Sequence, residues 1–425
     1  MNETDRRPRR QSSGPVRHGR LRTSSPIATV LKGLAVVAAV AVVSVGTITA
    51  YAVNSVTTQF SANAVDISNG EEQPAAPPLL SAFEGGFNML VIGTDNDPNQ
   101  GDSFGERDAT LNDVNILLHV SADHKNAVVV SFPRDLVIPH PECQDPETGE
   151  TFDSMSAQPL NDAYARGGIS CVVNTVSALT GVDIQYAAAT SFDGVIEMTN
   201  AVGGVPVCLV DAISDPDSGL DLPAGTTLIE GQMALAFLRN RHGVGDGSDL
   251  SRIGSQQQYL SSLMRTMKSS NTLSDLSKLY GLAQAAASNI KPSKSLASPD
   301  AMVSLALTLK DVDLNNIVFV QYPSGSDADN PNKVVPVTSL ADDLFAKILA
   351  DQPFTLGDDA TSTGSTVVAD PNAETPVPVE TTAPDAGTTP DTGTPTTTDA
   401  AGPEVIEGLK GQTAAQQTCA NPFED

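Results

Sequence analysis

Hydrophobic and polar positions change rhythm several times along the chain, and each rhythm predicts a different kind of segment. Residues 34–53 are apolar and uncharged. Twenty residues at about 1.5 Å rise each give about 30 Å, the hydrocarbon thickness of a bilayer, so a transmembrane helix is expected over residues 27–53. Residues 54–82 turn polar and rich in proline and alanine, as suits a stalk. From residue 83 to 356, apolar runs that end in turn residues alternate with helix-like segments, the pattern of an α/β or α+β domain with a central mixed β-sheet flanked by helices. Strands are expected at 89–93, 115–120, 127–132, 186–189, 205–210, 234–239 and 317–322, and helices at 170–180, 192–201, 250–267, 273–289 and 299–309. Residues 357–403 are almost wholly Thr, Pro, Ala, Asp and Gly, too poor in apolar surface to order themselves, and read as a disordered linker. The tail at 404–425 holds a helix-compatible segment and Cys419, which could tie it to the body.

Charge gives this order a direction. Residues 1–26 carry seven arginines ahead of the apolar run, which marks that end as cytoplasmic and places the remainder outside a cell membrane. Ala50-Tyr51-Ala52 has the small-residue spacing of a signal-peptide cleavage site, although the apolar run is longer than a signal peptide needs. The formal charge of −27, despite a basic start, makes the exterior part acidic and argues against nucleic acid as a partner. Divalent cations are better company. Four cysteines, Cys143, Cys171, Cys208 and Cys419, all fall on the expected exterior, where thiols pair. Three connectivities are open. Cys143–Cys171, flanking a Pro/Gly-rich loop, is the preferred pair, with free buried thiols as the alternative.

Chemistry concentrates at strand ends. The first expected strand finishes in Asp95, Asp113 opens the next, and Ser131-Phe132-Pro133-Arg134-Asp135 closes the third. If the first two strands are neighbours, Asp95 and Asp113 approach each other and need a proton or a cation between them. Mg²⁺ takes oxygen ligands and shares its shell with water and phosphates. Arg239 and Arg241, two apart on an expected strand, share a face. Arg252 and Gln256, four apart, share a helix face that Ser248 or Asp249 could cap. With Arg134 and Arg107, several guanidinium groups would converge, and such forks grip phosphate oxygens bidentately, so a pyrophosphate or phosphodiester is implied. Surface ion pairs are the plainer alternative. Gly243, Gly245 and Gly247 suit either a close approach to ligand or a tight turn. Gly101-Asp102-Ser103-Phe104-Gly105 matches a nucleophile elbow in letters but sits within a polar loop, not between a strand and a helix. His119 alternates with apolar residues and reads as core; His242 lies nearer the arginines.

Gly93-Thr94-Asp95, Leu111-Asn112-Asp113, Ser131 to Asp135, Leu160-Asn161-Asp162-Ala163-Tyr164-Ala165-Arg166-Gly167-Gly168, Val202-Gly203-Gly204-Val205 and the stretch at 239–257 occur in the order seen in the LytR-CpsA-Psr family, which the chain resembles over about residues 87–263. The resemblance implies a membrane-anchored phosphotransferase that moves a glycopolymer with one phosphate from a polyprenyl-pyrophosphate carrier to peptidoglycan. It implies Mg²⁺ or Mn²⁺ beside the pyrophosphate and an apolar pocket for the lipid. By position, Asp95 and Asp113 resemble the metal-side aspartates. Arg107, Arg134, Arg239, Arg241, Arg252 and Gln256 resemble the phosphate-binding set, with Arg134, Arg239, Arg241 and Asp95 at the reaction itself. Asp135 is available as a base or as an orienter of Arg134. Asp97, Leu111 and Ser255 stand where the family often has arginine, so the grip on pyrophosphate is expected to differ. Leu111-Asn112-Asp113, the cysteines and the tail resemble actinobacterial members, which points to arabinogalactan as the polymer. The same residues also suit a pyrophosphatase of polyprenyl carriers, or a wall-binding regulatory protein with no catalysis.

Overall fold

The computed structural model describes residues 58, 61–68, 83–96, 109–270, 272–368 and 403–423. The basic segment at 1–26, the expected span at 27–53, Asp97, the elbow-like sequence at 101–105 and Arg107 lie outside the described residues. Among the described residues no helix is long and apolar enough to cross a membrane.

Short apolar runs, buried on both faces, build the central sheet. Strands β1 (Phe87–Thr94), β2 (Asn112–Val120), β3 (Ala127–Phe132), β4 (Tyr186–Thr190), β7 (Ile290–Pro292), β8 (Ile317–Gln321) and β10 (Gly411–Thr413) lie in the order β7-β4-β1-β2-β3-β8-β10. β1 runs antiparallel to β2 and parallel to β4, β3 runs antiparallel to β2 and parallel to β8, and β7 and β10 close the two edges in antiparallel pairing. The sheet is therefore mixed, as expected. Successive side chains point to opposite faces. Leu90, Ile92, Leu117, Val130 and Phe132 face a core completed by α1 (Ala163–Thr180) and α7 (Thr338–Leu349). Met89, Ile116, Val129, Ala188 and Phe319 face the other core, which α6 (Pro299–Lys310) helps cover. At roughly 1.5–3 kcal/mol for each large apolar side chain buried, these two faces dominate the stabilisation of the domain.

A third core sits beside a four-stranded sheet, β6 (Gly225–Ile229)-β5 (Val205–Leu209)-β11 (Thr418–Ala420)-β9 (Ser365–Val367), against which helix α4 (Asp249–Ser269) packs. Helices α2 (Phe192–Val202), α3 (Gly231–Arg239) and α5 (Leu276–Asn289) complete the helical side. Helix α4 is buried around much of its girth, and its glutamines act as brackets. Gln256 donates to the Leu238 carbonyl at 3.1 Å, Gln258 to the Cys208 carbonyl at 2.7 Å, and Gln257 accepts from Ser362 at 2.9 Å. Buried amides without such partners would each cost about 1–3 kcal/mol.

Four expectations need correction. Residues 234–239, read as a strand, are helix α3: the run Met233 to Leu238 is continuously apolar because Ala234 and Phe237 belong to the third core while Leu235 and Leu238 line an apolar cavity. A continuous apolar run does not by itself separate strand from helix, and Met, Ala and Leu favour helix. The body starts before residue 83, because Val65 and Ile67 are buried and Val65 bridges to Ser293 beside the edge strand β7. The linker expected from residue 357 is ordered as far as 368, where β9 pairs with β11 and Ala360 is buried. The helix-compatible tail forms β10 and β11 instead, since its side chains complete two sheets. Both disulfides place all four thiols: Cys143–Cys171 is the preferred pair, and Cys208–Cys419 ties the tail to β5.

His140 is fully buried. Burial first, then the charge of Arg166, push its pKa down from 6.5 to about 4. The unfolded chain takes a proton below 6.5 that the folded chain refuses until about 4, so stability is lost as pH falls through that window. Between neutral pH and pH 4.5 the loss from this residue is expected to be about 2 kcal/mol. Denaturant midpoints at both pH values should converge in His140→Leu relative to wild type; an unchanged gap would remove the assignment.

Candidate active site

A slip in the sheet creates the site. β1 and β2 pair in register as far as Gly93 opposite Val114, and then Thr94 lies opposite Asn112, leaving Asp113 as an extra residue. Such a bulge bends the strand and re-aims a side chain. The close approach needs Gly93, where a Cβ would sit 2.9 Å from that of Val114. Asn112 fixes the far side of the bulge. Its amide donates to Asn115 at 2.7 Å and to the Leu160 carbonyl at 3.1 Å, and its oxygen accepts from the Tyr164 amide at 3.0 Å. The Leu111-Asn112-Asp113 and Leu160-to-Gly168 motifs are thus one joint, in which a buried asparagine holds the entry to α1.

Asp113 faces a cleft of about 210 Å³ that Arg134, Arg239, Arg241 and Arg252 also line. Each guanidinium is held differently. Arg134 donates to the Asp113 carboxylate at 3.0 Å, with Asp135 at 3.6 Å and its backbone amide on Asp249 at 3.0 Å. Burial works against its charge, but Asp113, Asp249 and Asp135 outweigh that and raise its pKa above the ordinary value. Arg252 is 6% exposed, pairs with Asp249 at 2.6 Å and donates to the Asp113 carbonyl at 2.8 Å. Arg241 is steered by its Nε, which donates to the Gly247 carbonyl at 3.1 Å. Arg239 lies over the Phe192 ring, 4.6 Å from its centre, a cation–π contact.

Although α3 replaces the expected strand, Arg239 and Arg241 still meet. Asn240 caps α3 with an extended ψ of 124°, which turns the chain so that both flanking arginines reach one cleft. Ser248 caps α4 by accepting the Ser251 amide, and Asp249 becomes the buried partner of Arg252. Gly245 and Gly247 have φ of 53° and 75°. The close neighbours of Gly245 are Ser251 and Gly364, so this glycine serves packing of the turn. Asp95 is 1% exposed and does not line the cleft; it accepts the Leu111 amide at 2.8 Å beside the bulge. Asp135 also lies outside it, paired with Lys333 at 2.7 Å.

Asp215, Asp217 and Ser218, which sequence reading missed, also line the cleft, together with Phe192 and His242, the histidine expected near the arginines. The turn signal Asp215-Pro216-Asp217-Ser218-Gly219 was present, but only the fold brings that turn to the arginines.

A second cavity of about 340 Å³ shares Asp113, Phe192 and Arg239 with the first and runs between the sheet and helices α2 to α6. Val91, Val114, Met198, Leu235, Leu263 and Ala283 are among its apolar walls, and Gln256 lies near the shared end. Tyr259, one of the polar residues in the lining, satisfies its hydroxyl on Thr199 at 2.7 Å. A polar, arginine-lined cleft thus opens into an apolar tunnel.

A model described as the LytR_cpsA_psr family matches residues 48–347. Cell wall biosynthesis protein LcpA of Corynebacterium glutamicum is 28% identical over 57% of this chain and 51% of its own length. The chain therefore spans about half the length of that curated relative. The polyisoprenyl-teichoic acid–peptidoglycan teichoic acid transferase TagT of Bacillus subtilis is 24% identical over 67% of this chain and 84% of its own. Among solved structures, a LytR-Csp2A-Psr enzyme from Actinomyces oris superposes with a TM-score of 0.50 at 22% identity, covering 67% of this chain and 94% of that one, a likeness of fold.

Removing Asp249 should be the most damaging change at the site, because Arg252 would keep a buried charge with its main partner gone and the Arg134 amide would lose its acceptor. Asp249→Ala is expected to cost about 3 kcal/mol. Chemical denaturation measures it; a cost below about 1 kcal/mol would show that the network is loosely held.

Proposed function

The chain belongs to the LytR_cpsA_psr family, and from that premise we propose that it transfers a glycopolymer phosphate from a polyprenyl-pyrophosphate carrier to peptidoglycan. The observation that carries this reading is the junction of the two cavities at Asp113, Phe192 and Arg239. A donor with a doubly charged head and a long apolar tail needs both environments side by side. The name of TagT, which specifies a polyisoprenyl-linked donor and a peptidoglycan acceptor, supports the same kinds of partner. Arabinogalactan is the polymer we propose, from the actinobacterial character of the motifs.

In this mechanism Arg134, Arg239, Arg241 and Arg252 hold the pyrophosphate oxygens and match the charge that grows there as the acceptor hydroxyl attacks the sugar-proximal phosphorus. Polyprenyl phosphate leaves. Fixed donors aimed at developing charge account for much of such catalysis, and positioning for the rest. Gln256 lines the tunnel beside this set, and Arg107, outside the described residues, is the further arginine the resemblance implies.

Asp113, which lines the cleft, and Asp95, buried behind the bulge, have the carboxylate donor chemistry that Mg²⁺ or Mn²⁺ takes. Among the described residues no group of three or more His, Cys, Asp or Glu converges, so water and phosphate oxygens would have to complete the shell. Bound there, the ion would neutralise phosphate charge. The apolar run at 34–53 would anchor the chain in the cell membrane, with its bulk outside and close to the lipid donor.

With a polyprenyl-pyrophosphate-linked disaccharide and peptidoglycan strands, mass spectrometry should find a muramic acid phosphodiester. Arg239→Ala should lower its formation by about 100-fold or more. Val195→Trp, which fills the tunnel, should raise KM more for long-chain donors than for short ones. Chelation of divalent metal should stop the reaction and Mg²⁺ restore it. Free polymer phosphate as the only product would instead identify a pyrophosphatase.

A further inference from the structure

Transfer to a hydroxyl needs a group that takes the hydroxyl's proton, and the cleft contains few candidates. Asp113 is engaged with Arg134, and Asp249 with Arg252. Asp135, the base offered by sequence, is paired with Lys333 and lies outside the cleft. Asp215 spends both oxygens on its own turn, accepting the Asp217 amide at 3.1 Å and the Ser218 hydroxyl at 2.7 Å. That leaves His242, whose Nδ1 lies 3.2 Å from the Asp217 carboxylate.

Resting on the function proposed above, we infer that His242 and Asp217 form the dyad that deprotonates the acceptor hydroxyl. With Nδ1–H donated to Asp217, the imidazole presents Nε2 as its acceptor, and the carboxylate fixes the ring as the orienting group does in other base–carboxylate pairs. Both side chains are well exposed, at 65% and 78%. Exposed pairs contribute little to stability, so a structural role does not account for this one. Exposure suits the task, because a wall polymer must reach the base from solvent while the lipid donor occupies the tunnel.

The backbone under His242 is pinned although its side chain is open. Asn240 Oδ1 accepts the Gly243 amide at 2.9 Å, and a Cβ at Gly243 would lie 2.9 Å from Asn240 and Ile213. The tail straps the same turn, with Phe423 donating to the Gly243 carbonyl at 3.0 Å and Gly245 donating to the Asn421 carbonyl at 3.1 Å. The Cys208–Cys419 disulfide anchors that strap two residues earlier. Residues beyond the family-matched region therefore set the position of the base.

In the step itself, the acceptor oxygen forms its bond to the sugar-proximal phosphorus as its proton passes to Nε2. The anhydride bond breaks, and polyprenyl phosphate departs with the electron pair. The imidazolium then returns its proton to solvent. The charged groups that share the cleft lining with His242 are Asp113, Asp215, Asp217, Arg134, Arg239, Arg241 and Arg252.

The test measures transfer from the lipid-linked disaccharide to peptidoglycan strands across pH, together with binding of geranylgeranyl pyrophosphate. His242→Ala should lower kcat by about 100-fold or more, leave donor KM and geranylgeranyl pyrophosphate affinity within about twofold, and abolish the acid limb of the kcat/KM profile. Added imidazole should restore part of the rate. Asp217→Asn should give a smaller loss. If wild type transfers and His242→Ala matches it in rate and profile, the dyad is wrong while the function stands. Loss of geranylgeranyl pyrophosphate binding in His242→Ala would make the residue a phosphate ligand and also overturn the inference. A wild type that forms no phosphodiester would overturn both.

Discussion

Four guanidinium groups in one cleft repel one another, and the site exists because carboxylates on separate elements absorb that repulsion. Asp113 from a bulge in β2 holds Arg134, and Asp249 from the first turn of α4 holds Arg252 and the Arg134 backbone. Neither aspartate could do this from a regular position. The bulge turns Asp113 off the sheet face, and the cap at Ser248 starts α4 one residue before Asp249. Because the pairs are largely buried, each aspartate serves as both a structural and an electrostatic part. The remaining two arginines are steered by a carbonyl and an aromatic face.

The same elements shape the apolar side. α3 carries Arg239 at its end and Leu235 and Leu238 along its flank, so one short helix supplies both the polar cleft and the tunnel wall. α4 does likewise with Arg252, Gln256 and Leu263. The amphiphilic donor we propose would therefore be read by single helices across its boundary, which would keep the two halves of the site in register. The tail adds a second layer of control. It completes the edge of the central sheet, closes a disulfide onto β5, and holds the turn that bears Arg241 and His242.

Much of this was legible in the sequence, for physical reasons that differ by element. Short apolar runs ending in turn residues located β1, β2, β3 and β8, and the polar residues at their ends announced Asp113 and Arg134. The Cys143–Cys171 pair followed from its loop. Misreading α3 as a strand came from a run that is apolar on all sides because a core and the apolar cavity flank it; the convergence of Arg239 and Arg241 survived, since the Asn240 cap does the work the strand was expected to do. The tail misled in the other direction, as Gly411-Gln412-Thr413 has little strand character alone and gains it from the open edge of β8. Asp215, Asp217 and His242 belong to segments far apart in sequence whose meeting depends on a hairpin and a helix cap, so no local pattern could reveal it. Arg107 lies outside the described residues, and Asp95 sits behind the bulge rather than in the cleft.

The central claim is that one amphiphilic donor occupies cleft and tunnel together. Native mass spectrometry of the full chain, extracted gently from membranes, tests it most directly. The account predicts a co-purifying polyprenyl phosphate or pyrophosphate that is lost on Arg239→Ala and on Val195→Trp alike, because either half of the site alone is too weak. A bound lipid without phosphate, or one retained by both variants, would contradict it.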